Sequence, residues 1–379
     1  MADALKDMYD RAAVDFLAAR IVAVQPKFPR QAFVREVAAD LPPLELKARS
    51  LRIAAGLRQH LPQDYAAALG IILKSLGKDD STGGIGGGGI EGMGGFRFMP
   101  LLNFVGAYGL DEPELSLDAL GELTLYFSGE FDIRPYLRKY PRQAFAKLQQ
   151  LSRDKDWRRR RLASEGSRPR LPWGMGLPDL VRDPSPALPI LHRLHDDAHD
   201  SVRRSVANHL NDIARDHPEL AVDIAGQWAK RAGRKPPETL RPTIRHALRG
   251  LVKQGHPGAL GLLGFEADVK LALQDFKLKA QSVAYGGALE FSATLINRGK
   301  TPVNLSIDYA IWHLRADGSL RPKVFKLAVR EAAPGESIAL TKRHAIKPIT
   351  TRRYYAGKQA VDIRVNGQVL GRCDFTLKM

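Results

Sequence analysis

The chain has 379 residues, 44% hydrophobic and 26% charged, with 58 Lys and Arg against 41 Asp and Glu for a net charge of +17. That balance describes a soluble globular chain able to bury a core and favours polyanionic partners: DNA, RNA or an anionic surface. Cys373 is the only cysteine, which excludes an intrachain disulfide and a cysteine metal cluster; no apolar run reaches about 18 residues, which excludes a transmembrane helix.

The N-terminal stretch MADALKDMYDRAAVDF mixes acids and bases and has no apolar core, so it does not read as a secretory signal. A cytoplasmic, reducing location is expected. Residues 1–265 read as helical. Apolar residues recur at three- and four-residue spacing in Leu44–Leu61, Tyr65–Leu76, Ser201–Ala214 and Leu220–Ala229, with Pro and Gly between them. Three segments, 46–65, 201–220 and 239–258, share one layout, an amphipathic helix with basic residues near its start and a His/Pro break after it. The last two begin 38 residues apart. Paired helices at a period near 40 predict a HEAT-like solenoid, with a plain helical bundle as the alternative. A basic concave solenoid face suits a duplex.

Residues 83–95 hold nine glycines in thirteen positions, too many for a helix or strand interior, and read as a flexible loop. They lack the Lys-Ser/Thr ending of a phosphate-binding loop. SGEFDIRPYL follows, with Glu130 just before a helix or turn.

The segment Arg158–Trp173, RRRRLASEGSRPRLPW, carries six arginines, one carboxylate (Glu165) and one large aromatic (Trp173). Arginine matches phosphate geometry, and an acid beside an aromatic suits a cationic group, so the segment reads as a nucleic-acid contact; a solvated basic loop is the alternative. With the prolines beyond Gly166 it predicts a long irregular stretch over 158–187. The cluster His192, His195, Asp196, Asp197 and His199 has no established metal-ligand spacing, and neither metal nor cofactor is expected. On the next helix Asn208 and Asp212 are four residues apart with Asn211 beside them, a polar face that is either functional or simply solvated.

From about residue 268 the periodicity becomes that of strands. Asn297-Arg298-Gly299, Asp317-Gly318, Pro334-Gly335 and Asn366-Gly367 mark turns, the last a strong hairpin signal. About seven strands predict an immunoglobulin-like sandwich without a disulfide, its boundary between Gly264 and Val269. This region carries +9 counted from residue 266, and Arg352, Arg353 and Lys358 fall in a predicted loop.

RLASEGSRPRLPW, SGEFDIRPYL and SVRRSVANHLNDIARDHPE together resemble the AlkC branch of the DNA alkylation repair glycosylases, over nearly the whole chain. The resemblance implies a HEAT-like glycosylase domain at 1–265 and an immunoglobulin-like domain at 268–379. It implies a monofunctional enzyme acting on duplex DNA with cationic N-alkylated bases, 3-methyladenine foremost and 3-methylcytosine second, reached by bending DNA; a monomer is the default for an enzyme that wraps one duplex. Glu130, Glu165 and Asp212 would be the acidic set, with Glu165 and Asp212 nearest the sugar, and Trp173 would lie against the base or deoxyribose. Arg161, Arg168, Arg170, Arg203 and Arg204 would hold phosphates, with Asn208, Asn211, Arg352, Arg353 and Lys358 as further DNA contacts. The rival readings are a noncatalytic nucleic-acid-binding scaffold and a protein-interaction solenoid. The glycine run departs from the family's pattern.

Overall fold

The computed structural model describes residues 5–77, 95–231, 237–266, 268–349 and 352–379. Residues 83–94 of the glycine-rich run lie outside them. Up to Leu262 the described secondary structure is helical, and from Leu271 to Lys378 it is strands. The helices start where local chemistry supplies a start. Asp10, Asp64 and Asp156 each accept a backbone N–H of the first turn at 2.8 Å. Pro141, Pro218 and Pro257, read from the sequence as breaks, are the first residues of the helices Pro141–Leu151, Pro218–Arg231 and Pro257–Leu262. A missing N–H costs nothing there.

By contacts the chain divides into two compact units, and the division does not follow the change from helix to strand. One unit is Met1–Asp216 with Ala232–Ala247; the other is His217–Arg231 with Leu248–Met379. Within the first, helix Trp157–Gly166 packs against both Pro141–Leu151 and Asp200–Ile213, and the last of these packs against Leu240–Ala247. The helix carrying Glu165 therefore lies directly on the helix carrying Asp212.

Two predicted segments differ from expectation. The arginine stretch is not irregular from Arg158: Trp157–Gly166 is a helix, capped by Asp156, and Pro178–Arg182 forms another short one. The irregular run is confined to 167–177, where Pro169 and Pro172 prevent helix continuation. The segment 239–258 is two helices, Leu240–Ala247 and Arg249–Gln254, and the two units part between them.

In the second unit the described residues form eight strands of the sandwich: β1 Leu271–Leu278, β2 Ser282–Ala284, β3 Ala288–Asn297, β4 Val303–Leu314, β5 Leu320–Ala332, β6 Ser337–Ala345, β7 Gly357–Val365 and β8 Gln368–Lys378. One sheet has the order β1-β3-β6, the other β2-β8-β7-β4-β5. Leu289, Leu295, Leu305, Ile307, Val361 and Ile363 fill the space between them. The Asn366-Gly367 turn joins β7 to β8 with φ of 45° and 83°, the paired left-handed conformation that a two-residue hairpin needs. Lys358 lies on β7 opposite Thr376, in a strand rather than the predicted loop. Pairing with β8 begins at Gly357, so the strand takes in its first residues, and Gln359 to Ile363 behind them are buried in an unbroken run. No helix among the described residues is long and apolar enough to cross a membrane.

Candidate active site: a buried chain of alternating charge

Glu130, Glu165 and Asp212 are 7%, 6% and 5% exposed. Glu130 sits in the turn before helix Arg134–Lys139, Glu165 in the last turn of Trp157–Gly166, and Asp212 near the end of Asp200–Ile213. Two arginines join them in series. Arg161 Nη1 donates to Ser128 Oγ at 2.6 Å and reaches Glu130 at 3.4 Å, and its Nη2 is 4.0 Å from Glu165. Arg168 Nη1 donates to Glu165 at 2.7 Å while its Nε donates to Asp212 at 2.9 Å. The order is acid, base, acid, base, acid. Helical spacing sets part of it, since Arg161, Glu165 and Arg168 are four and three apart. The rest needs packing. Gly166 allows the close approach of the 130–133 turn, because a Cβ there would stand 2.8 Å from Ile133 Cγ2.

Burial and the arginines act against each other, and the balance differs among the acids. At Glu130 burial outweighs Arg161 and the carboxyl is raised above its ordinary range. At Asp212 burial likewise outweighs Arg168, and it too is raised. Glu165 is also pushed up by burial, but Arg161 and Arg168 together overcome this and hold it below the usual value. Glu165 is therefore the securely ionised member, flanked by two acids that take up a proton more readily. Buried ion pairs contribute little net stability against apolar packing. Perturbed acids gathered in this way are a feature of functional sites.

A second layer surrounds the series. Arg134 is fully buried; its Nη1 donates to the Gly166 carbonyl at 2.9 Å and its Nε to the Met175 carbonyl. Burial and the nearby Arg168 lower its pKa to about 10, with the three acids opposing. His209 Nδ1 donates to the Ser164 carbonyl at 3.0 Å, and burial drives the imidazole to about 3, so it is neutral. Behind Glu130, Asp132 accepts from Asn103 Nδ2 at 2.9 Å, and Ser50 Oγ donates to Asn103 at 2.6 Å. Burial raises Asp132 to about 7.

Trp173 is unlike the rest of the cluster. It is 73% exposed, and its φ of 64° puts a bulky side chain in the left-handed region. Such a backbone costs about 1–3 kcal/mol and persists where its surroundings hold it. Lys47 Nζ donates to the Trp173 carbonyl and also lies 5.1 Å from the centre of the Phe131 ring, beside Glu130.

The remaining sequence-predicted residues separate into two groups. Arg161 and Arg168, expected to hold phosphates, are instead engaged by the acids; a guanidinium spent on two buried carboxylates is not open to a DNA backbone. Arg170 stays at the surface, paired with Asp216 at 2.8 Å. Arg204 is exposed beside Asp200, while Arg203 is mostly covered and donates to the carbonyls of Asp197 and Ala198. Asn208 bonds His246 at 3.0 Å, and Asn211 is half-buried on the same helix. In the other unit Arg352 contacts His313, and Arg353 stands over the Tyr355 ring at 5.6 Å. Of the His/Asp cluster, Asp197 accepts two bonds from Arg160 and His199 stacks on Trp157 at 3.9 Å.

Sequence reasoning missed Arg134, His209, Asp132 and Lys47. Arg134 and Asp132 lie inside the quoted SGEFDIRPYL string, and His209 is three residues before Asp212. The i, i+3 and i, i+4 spacing of Arg161, Glu165 and Arg168 was a usable signal once 158–166 was recognised as helix.

Fold and site together define a class: an all-α protein with a buried, arginine-bridged acidic cluster, continued by an immunoglobulin-like sandwich. The family model described as "Uncharacterised protein YhaZ, C-terminal Ig-like domain" matches residues 272–379. The chain is 36% identical over 376 residues to "Uncharacterized protein YhaZ" of Bacillus subtilis (strain 168), covering 99% of each. It superimposes over 100% of both chains, with a TM-score of 0.89 and 33% identity, on a Pseudomonas fluorescens alkylpurine DNA glycosylase, AlkC, bound to DNA containing an abasic site analog. The chain belongs to the family of YhaZ and AlkC.

Proposed function

We propose that this protein is a monofunctional DNA glycosylase that hydrolyses the N-glycosidic bond of cationic N-alkylated bases in duplex DNA, acting as a monomer in the cytoplasm. 3-Methyladenine is the first expected substrate and 3-methylcytosine the second. The observation that carries the reading is the buried Glu130–Arg161–Glu165–Arg168–Asp212 series. The full-length likeness to AlkC supports it.

An N3-alkylated base already bears positive charge, so its departure needs no protonation by the enzyme. The bond breaks towards an oxocarbenium-like sugar, which a preorganised carboxylate stabilises. Glu165, held ionised by two arginines, suits that electrostatic role. Asp212, raised by burial, suits the acceptance of a proton from the attacking water. Glu130 orients Arg161 and contributes to the same field. Removing one such group costs about 3 kcal/mol of transition-state stabilisation. The exposed Trp173 ring suits contact with the cationic base, worth roughly 0.5–2 kcal/mol. Arg170, Arg203, Arg204, Asn208 and Asn211 supply backbone contacts from the helical region, and Arg352, Arg353 and Lys358 from the sandwich.

The test is release of free methylated base from methylated duplex DNA by the wild type, Glu165→Gln and Asp212→Asn. Release by the wild type and its loss in both variants, with DNA binding retained, is the expected result. Binding without release by the wild type would favour the noncatalytic scaffold.

A further inference from the structure

The loop from Pro169 to Leu177 presents an exposed indole on a left-handed backbone, and buried or bridging cations meet it from two sides. Arg134 is the central one. Its guanidinium is fully buried and donates at once to Gly166, at the end of the Glu165 helix, and to Met175, two residues beyond Trp173. Its planar fork therefore ties the frame that holds Glu165 to the segment that holds Trp173. Lys47, from helix Leu46–His60, takes the Trp173 carbonyl itself. The loop's own bonds, Gly174 N–H to Leu171 and Leu177 N–H to Pro169 at 3.1 and 3.2 Å, close it locally but do not connect it to the acids.

We propose that Arg134 and Lys47 are positioning residues that set the Trp173 indole relative to the Glu130–Glu165–Asp212 cluster, so that base contact and sugar chemistry are registered to one another. This rests on the glycosylase reading and adds to it a mechanical link between the two parts of the site. Neither cation needs to touch the DNA. Both act through main-chain carbonyls, so no side-chain property of residues 174–177 is required.

The test combines two readouts on the full chain. Arg134→Lys keeps the charge but cannot span both carbonyls with one planar fork, and Lys47→Met removes an exposed amine without disturbing the core. Hydrogen exchange of the peptide covering 169–177 should quicken in each variant by about tenfold or more, as expected when a local anchor is lost. Single-turnover release of methylated base should fall by about threefold to fivefold with DNA affinity kept, a loss bounded by that of removing the indole itself. In a Trp173→Ala background the same substitutions should cost less than about twofold, because the group they position is gone. Unchanged exchange in both variants would overturn the anchoring. Full additivity with Trp173→Ala would overturn the claim that they act through the indole. If the wild type releases no base, the glycosylase reading falls, and the anchoring is decided by exchange alone.

Discussion

In the helical region Arg161, Arg168 and Arg134 are drawn under the surface, each satisfied by acids or carbonyls of other segments, whereas in the sandwich Arg353 and Lys358 stand in solvent. The contrast separates two uses of positive charge. Buried guanidinium groups exchange hydration for fixed direction, and they set both the geometry and the proton affinity of the carboxylates. Exposed cations keep their hydration, reach a polyanion through a field that salt screens within about 10 Å, and specify little geometry. A net charge of +17 is therefore a poor guide to where a nucleic acid is gripped, since several of those charges are internally matched.

The strongest break of that contrast is Glu165→Gln. It removes the acid that both arginines share, and base release should fall by about 10²-fold, equivalent to about 3 kcal/mol. The same residue sets an acid-stability limit. Its folded pKa is depressed, so its stabilisation is present above the unfolded value and is lost as pH falls through the depressed one. Thermal melts of wild type and variant across pH 3–7, on the order of the carboxylate range, should converge at the acid end.

Asp132 runs the opposite way. Its folded pKa is raised to about 7, so its contribution is favourable below the unfolded value and is lost as pH rises through about 7. Asp132→Asn keeps the acceptor for Asn103 and removes the buried charge. It should stabilise the protein at pH 8 by about 2 kcal/mol and do little at pH 4; denaturant melts at the two pH values check this. Equal effects at both would show that Asp132 does not change protonation on folding.

Asp212 predicts the shape of the pH–rate profile. In the proposed mechanism base release requires its ionised form, and burial raises its pKa, so activity should decline on the acid side at a higher pH than for an ordinary carboxylate. In Asp212→Asn the residual activity should lose that limb. Trp173→Ala is expected to cost about 1 kcal/mol in release from a cationic lesion, near fivefold to tenfold. A loss of DNA affinity without a change in release rate would make the indole a mere surface contact. The smallest effect belongs to the sandwich: Arg353→Ala with Lys358→Ala should leave the chemistry alone and lower the salt dependence of binding by about one unit of slope per phosphate contact. An unchanged slope would remove those two residues from the interface.

Much of the molecule was legible without coordinates. The switch from a 3.6-residue to a two-residue period was in the side chains, and so was the Asn366-Gly367 hairpin, because local sterics alone select them. The three acids, singled out through the motifs that surround them, lie together in the structure. The pairing of Arg161 and Arg168 with those acids was not legible, because a run such as Arg158–Arg161 looks the same on a loop and on a helix. A helix turns successive residues in different directions: Arg160 goes to Asp197, and Arg161 to Ser128 and Glu130.

What the sequence determined by itself is therefore the helical and strand-rich character of the two regions and the Asn366-Gly367 turn, properties of residues a few positions apart. What only tertiary structure decided is which distant segments meet. Arg168 meets Asp212 across 44 residues and His209 meets Ser164 across 45. Such pairs form where packed helices bring them together and exclude water. That exclusion turns an ordinary ionisable side chain into one with a shifted pKa and a single direction.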